Sequence, residues 1–389
     1  MRILIVHNSA DIYGASRSIL RLCGQLDRAR FEPLVLLPEG GALGDLLREN
    51  GVPTLIFPRL RVITRPVLKS WLLLPWLLGF FPSAWALAAI LRQERIALVH
   101  TNTGVICSAA LAARLARVPH LWHIRDWFQE FGPLWKPYSR YILALSGKVL
   151  CVSKPIAGQF PASPKISVLH NGFDLAEFPP ISEEERSAAR SQWRMTPDTV
   201  VIGVVGRIKF VRKGQEFLLQ AAALLKSQGI SCTCLIVGGT APGSEEHLDR
   251  MKAVADGLNI DAIFTGELSN PRPAYAAMDI FVLPSAQPEP FGGVVMEAMA
   301  LGLPVVGTAI GGTPEQIAAG ETGLLVPPAD PTALAEALAG LIASKETRRA
   351  MGEAARERIR EKFSLHAMVE QIQDIYLDMV EQKPVRNRD

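Results

Sequence analysis

The chain has 389 residues, long for one domain and comfortable for two. With 49% hydrophobic and 20% charged residues it has a core-forming composition, which excludes a disordered chain. A formal charge of +3, without a basic stripe or a nucleic-acid reading motif, argues against a nucleic-acid partner.

In chain order, residues 1–7 end too soon for a signal-peptide core and read as a first β-strand. Further apolar runs of strand length follow at 33–37, 54–57, 97–100, 119–122, 148–152 and 166–169, with helical stretches such as 16–26 and 105–116 between them. Continuous apolar runs, rather than alternation, fit parallel strands buried on both faces. The second half repeats the theme at 199–205, 233–237, 262–265, 280–283, 304–306 and 324–326, each followed by Gly, Pro or Ser punctuation. The join lies near 171–194. After Glu346 the chain is helical and ends in a charged tail. The expected fold is α/β, with two doubly wound, Rossmann-like domains at 1–178 and 186–364. A last helix, about 365–385, is expected to pack back on the first domain. Ligands are expected at the C-terminal ends of the strands. The cysteines Cys23, Cys107, Cys151, Cys232 and Cys234 form no CxxC pair and read as buried thiols in a reducing cytoplasm.

The densest chemistry lies in EPFGGVVMEAMALGLPVVGT, residues 289–308. Glu289 precedes a helix expected to start near Gly292 or Gly293, and Glu297 lies about one turn inside it, amid Val294, Val295 and Met296. A carboxylate in an apolar run is expensive to bury without partners, and a ribose diol is a partner that fits. The alternative is a Glu297 that points to solvent. The glycines permit close backbone approach, and the helix start offers N–H groups to an anion such as diphosphate. Arg207 follows a strand, and Lys213 follows across a short loop. Two cations there suit the charge that grows on a leaving diphosphate.

The 289–308 stretch resembles the signature of the large retaining GT-B glycosyltransferase family called family 4, or group 1. GRIKFVRKG, HNGFDLAEF, FTGELS, VLPSAQPEPFG, GGTPEQI and TGLLVPPAD resemble further family motifs in the family's order. The resemblance covers essentially the whole C-terminal half; it is weaker but ordered in the N-terminal half. It implies two Rossmann-like domains facing across a cleft, the second binding a UDP- or GDP-linked sugar and the first taking the acceptor. It implies catalytic roles for Arg207, Lys213, Glu289 and His123. Donor binding falls to Gly14, Phe291, Gly292, Gly293, Val294, Val295 and Glu297. Tyr13 stands where the family often has a first glycine beside Gly14, a departure in that loop. Arg17 reads as a phosphate or acceptor contact, or as a surface residue. Arg125 and Asp126 face the acceptor or are solvent-exposed loop charges. His7, His100 and His170 read as ordinary histidines.

No Asp-x-Asp or HExxH pattern occurs, so neither a metal nor a cofactor is expected. The implied reaction is metal-independent hexosyl transfer with retention, onto a glycan or lipid-linked acceptor, in cell-surface glycan biosynthesis. The alternative is a catalytically silent sugar-binding or scaffold subunit. Residues 71–91, WLLLPWLLGFFPSAWALAAIL, are long enough to span a bilayer but are broken by Pro75, Gly79 and Pro82. No acidic residue lies between Glu49 and Glu94, whereas Arg59, Arg61, Arg65, Lys69 and Arg92 do. The region 59–91 therefore reads as an interfacial segment on the cytoplasmic face of a membrane. The alternatives are an apolar helix buried in the domain or in a dimer contact, and a spanning helix.

Overall fold

The computed structural model describes residues 1–12, 14–64, 67 and 70–381; Tyr13, Arg65 and Lys69 lie outside them. The chain forms two compact units, one of Met1–Gly172 with the chain from Leu365 onward, the other of Phe173–Ser364.

The first unit holds seven strands among its described residues: β1 Arg2–Val6, β2 Glu32–Leu37, β3 Thr54–Ile56, β4 Leu98–Asn102, β5 His120–Ile124, β6 Lys148–Cys151 and β7 Ile166–Val168. They pair in the order β3-β2-β1-β4-β5-β6-β7, and every pairing is parallel. Successive side chains of a strand point to opposite faces. Accordingly Ile3 and Ile5 join the core under helix Gly14–Gln25, while Leu4 and Val6 join the core that contains Leu87, Leu91 and Ala109. Both faces are dry, which is why the strands read as unbroken apolar runs. Helix Leu365–Glu381 supplies Leu365, Met368, Val369, Ile372 and Tyr376 to the first of these cores.

The second unit has β8 Val201–Val205, β9 Thr233–Val237, β10 Ala262–Gly266, β11 Ile280–Leu283, β12 Val305–Thr308 and β13 Gly323–Val326, in the order β10-β9-β8-β11-β12-β13. Its division from the first unit falls at 172/173 rather than at 178, because the Phe173 N–H bonds the Phe363 carbonyl at 2.7 Å inside the second unit. Asp279 anchors helix Glu183–Gln192 to this sheet: its carboxylate takes Arg186 and Arg190, each at 2.5 Å, and the Val201 N–H at 2.8 Å. In each sheet the strand order reverses beside the first strand, at β1/β4 and β8/β11, and this opens a crevice beyond the strand ends.

The apolar segment expected over 71–91 is two helices, Leu73–Leu78 and Phe80–Gln93, with Gly79 between them. Together they are long and apolar enough to cross a membrane by length and composition. Ser83, Ala84, Leu87, Ala88 and Leu91 are nevertheless buried, and Leu87, Ala88 and Leu91 belong to a core of the first unit. Trp76 also turns inward: its indole N–H bonds the Val62 carbonyl at 3.0 Å and its ring stacks on Phe80. The outward side carries Trp71, Leu74, Leu78, Phe81 and Trp85, with Trp71 79% and Trp85 70% exposed.

Candidate active site

In the second unit, chemistry collects past the C-terminal ends of β8 and β11. The loop after β8 runs from Gly206 to Gly214. Its Arg212 carbonyl accepts the N–H groups of Ala286 and Gln287, which ties the loop to the turn after β11. Gly214 sits at φ +66°, and a Cβ there would lie 1.9 Å from the Pro284 carbonyl oxygen, so no side chain fits. Val211, at φ +68°, gives its N–H to Glu216 Oε1 at 2.7 Å. Burial raises the Glu216 carboxyl above its ordinary range. The loop is therefore held at three points, and Lys213 projects from it.

Lys213 Nζ lies 2.5 Å from Glu289 Oε1, and the Ser285 hydroxyl donates to the same oxygen at 3.1 Å. Two residues assigned to catalysis thus meet in one ion pair. Glu289 is fixed from behind as well, since its carbonyl accepts the Gly312 N–H at 2.9 Å. Arg207 is exposed, and its carbonyl accepts from Gln215 Nε2 at 3.2 Å.

Helix Gly293–Ala300 starts where the glycines suggest, with Gly292 as its N-cap. Gln316 clamps that cap through Gly292 N–H to Oε1 at 3.2 Å and Nε2–H to the Gly292 carbonyl at 2.8 Å. The Gly292 amide is therefore taken, contrary to the expectation that it faces a diphosphate. Val295 N–H is also used, bonding the Gly292 carbonyl at 3.1 Å. Gly293 and Val294 remain as the residues whose N–H groups lack an intrahelical acceptor. The Phe291 ring packs edge-on against Phe363 at 5.8 Å, so its side chain serves the fold. Glu297 is 8% exposed and takes a hydrogen bond from the Tyr275 hydroxyl at 2.9 Å, which rules out the solvent-pointing alternative. The roles of Tyr275 and Gln316 were not legible in sequence because each reaches its partner across a fold contact, whereas Ser285 meets Glu289 within one turn.

In the first unit, a buried polar network crosses the C-terminal ends of β1, β4 and β5. His7 Nε2 lies 3.0 Å from Ser16 Oγ, in the first turn of the helix opened by Gly14. A Cβ on Gly14 would meet nothing within 4 Å, so that helix start is open. His123 is fully buried, its ring stacked on His100 at 5.5 Å. Burial first, then the neighbouring Arg125 charge, holds its pKa well below the ordinary value. It is a neutral imidazole, not a cation that could oppose a developing charge. Burial likewise lowers His7 to about 4 and His100 to about 3. Arg125 and Asp126 are not the solvent-exposed loop charges of the alternative reading. Arg125 bonds Asn102, Asn171 and His123, while Asp126 Oδ2 accepts the Gly104 N–H. Between them Thr103 takes φ +130°, a region β-branched residues rarely adopt, with its hydroxyl buried and unpartnered. Such strain clusters at functional sites. Among the described residues no group of three or more His, Cys, Asp or Glu side chains converges as a metal site would.

The comparisons with known proteins agree with this layout. A family model described as "Glycosyl transferases group 1" matches residues 185–358, and one described as "Glycosyltransferase Family 4" matches residues 12–177. The chain is 35% identical over 220 residues to a D-inositol 3-phosphate glycosyltransferase of Corynebacterium urealyticum, covering 54% of this chain and 51% of that protein. It is 30% identical over 227 residues to the capsular polysaccharide biosynthesis glycosyltransferase CapM of Staphylococcus aureus, covering 57% and 58%. These matches span about half the length of those relatives. Among solved structures, Anabaena HepE in complex with UDP and glucose superposes with a TM-score of 0.81 at 23% identity, over 96% of this chain and 99% of that one. Sucrose-phosphate synthase from Thermosynechococcus elongatus does so with 0.78 at 23% identity, over 98% and 99%. The fold is that of the GT-B glycosyltransferases, and with a family model matched in each half the chain belongs to the group 1, family 4 glycosyltransferases.

Proposed function

We propose that the chain transfers a hexosyl group from a nucleotide-sugar donor to a glycan or lipid-linked acceptor, without a metal and with retention of the anomeric configuration. The observation that carries this reading is the Lys213–Glu289 pair, set beside a helix start whose Gly293 and Val294 amides have no intrahelical acceptor. Lys213, Arg207 and those amides receive the diphosphate and stabilise the charge that grows on it as the glycosidic bond breaks. Glu297, oriented by Tyr275, accepts from the ribose hydroxyls. Glu289 accepts from a hydroxyl of the donor sugar. His123, uncharged, contributes a hydrogen bond on the acceptor side. Retention follows if the acceptor hydroxyl attacks from the face of the leaving diphosphate and gives its proton to a phosphate oxygen. Cations take the place that a carboxylate-held metal would otherwise fill. HepE was solved with UDP and with UDP-glucose, which favours a uridine donor among the alternatives.

The outward row Trp71, Leu74, Leu78, Phe81 and Trp85, in a stretch without acidic residues, supports a site of action on the cytoplasmic face of an anionic membrane, in the assembly of a cell-surface glycan. The test is nucleoside-diphosphate release from a panel of UDP- and GDP-sugars, with a membrane lipid extract as acceptor and EDTA present. Release that depends on extract, with an α-linked product from an α-linked donor, is expected. Activity lost to EDTA and restored by Mg²⁺ contradicts the metal-free reading.

A further inference from the structure

Arg125 was read from sequence as an acceptor contact or a loop charge, yet its guanidinium meets four side chains. Its Nε donates to Asn102 Oδ1 at 2.7 Å, and Nη1 donates to Asn171 Oδ1 and, at 3.4 Å, to Ser18 Oγ. Its Nη2 lies 3.3 Å from His123 Nδ1. Burial lowers its pKa to about 10, with Asp126 opposing, so it is still a cation at neutral pH.

A guanidinium has donors and no acceptor. The contact with His123 therefore has one possible direction: Nη2–H donates and Nδ1 accepts. A neutral imidazole that accepts at Nδ1 carries its proton on Nε2. In this structure Nε2 is buried without a hydrogen-bond partner. A buried unpaired donor is uncommon and asks for an explanation.

We propose that Arg125 is a positioning residue that fixes His123 as the Nε2–H tautomer, making it a hydrogen-bond donor rather than a base or a charge. The fixing is built in depth. Asn102 and Asn171, on β4 and after β7, both turn their Oδ1 atoms to the guanidinium, which holds its plane. Asn102 Nδ2 is in turn 3.3 Å from His7 Nδ1, which links Arg125 to the β1 end of the site. On its other side the His123 ring stacks on His100, whose Nδ1 is 2.6 Å from the Tyr376 hydroxyl of the last helix. The groups facing His123 are thus Arg125 and His100, and neither favours a second positive charge there. Bonds to a charged donor are strong enough to bias the two tautomers by roughly tenfold or more. The consequence for catalysis rests on the proposed donor and acceptor reading; the tautomer itself does not.

The experiment uses the full chain with ring-¹⁵N histidine and long-range ¹H–¹⁵N correlation, the His123 signals being assigned by their loss in His123→Gln. The expected wild-type result is a neutral ring protonated on Nε2, with Nδ1 as the bare nitrogen. Arg125→Met is expected to let the Nδ1–H form rise about tenfold, while Arg125→Lys, which keeps a donor-only cation, retains the Nε2–H form. Asn171→Ala, a milder change that frees the guanidinium, is expected to shift the ratio in the direction of Arg125→Met and serves if that variant does not fold. A wild-type ring protonated on Nδ1, or a tautomer ratio unmoved by both Arg125→Met and Asn171→Ala, overturns the proposal. Because the tautomer is read without substrate, failure of glycosyl transfer leaves this result standing, and the two readings fail separately.

Discussion

Lys213 Nζ and Glu289 Oε1 lie 2.5 Å apart, although the two residues are separated by 76 positions in the chain. A diphosphate that reaches Lys213 meets an ammonium already paired with the carboxylate proposed to orient the sugar. Charge on the leaving group and orientation of the donor are therefore coupled through one contact.

That coupling is measurable. Arg207→Ala and Lys213→Ala should each lower kcat/KM by about 10²–10³, the usual loss when a charge-stabilising contact is removed. Glu289→Gln should cost less alone. The double mutant Lys213→Ala/Glu289→Gln should be clearly less impaired than the product of the single effects, because each single change already breaks the pair. Strictly multiplicative losses, measured on the donor with highest turnover, would show that the contact has no role in catalysis.

Acid should destabilise the first unit in a specific window. Burial lowers His7 to about 4 and His100 and His120 to about 3, and His123 lies well below its ordinary value. In the unfolded chain these rings titrate near 6.5. The unfolded state thus binds more protons at acid pH, so the stability present above pH 6.5 is lost as pH falls toward 3. Each ring contributes a slope of about 1.4 kcal/mol per pH unit within its window. Chemical unfolding of the first unit between pH 7 and pH 4.5 should show this decline, and His100→Gln should make it shallower. A stability flat across that range contradicts the neutral, buried assignment.

The membrane-facing reading has its own test. Trp76 and Phe80 stack together on the inward side, so replacing them would damage packing. The exposed large apolar side chains of this segment are Trp71, Leu72, Leu74, Leu77, Leu78, Phe81 and Trp85. Wild type should float with anionic liposomes at low salt, and Trp71→Ser/Phe81→Ser/Trp85→Ser should stay in the soluble fraction with its melting temperature unchanged. Equal flotation of the two, or none by folded wild type, makes a soluble acceptor the better reading.

The strands were legible because parallel strands covered on both faces must be apolar at every position. β9 and β11 fall on the expected residues, 233–237 and 280–283. The helix that carries Glu297 was legible from Gly292 and Gly293. Partners were not. Nothing in the sequence ties Tyr275 to Glu297 or Gln316 to Gly292, since both contacts depend on how β11, β12 and their helices lie side by side. Arg125 was left between an acceptor-facing and a loop-charge reading for the same reason. A lone arginine after a strand looks like a loop charge until Asn102 and Asn171 are brought to it by β4 and the turn after β7. Within residues 71–91 the sequence did not separate the inward Trp76 and Phe80 from the outward Trp71, Phe81 and Trp85, since all are aromatics of one apolar run.

The central claim is that the second unit holds a nucleotide sugar through Glu297 and the cationic loop, with no metal. The measurement is a thermal-shift series in EDTA with a panel of UDP- and GDP-sugars, on wild type, Glu297→Ala and Tyr275→Phe. At about 100 times its dissociation constant, one donor should stabilise wild type by roughly 2.7 kcal/mol. Glu297→Ala should lose that shift, and Tyr275→Phe, which frees one oxygen of the carboxylate, should keep part of it. A folded wild type that no nucleotide sugar stabilises, or a Glu297→Ala variant stabilised as fully as wild type, would contradict the claim.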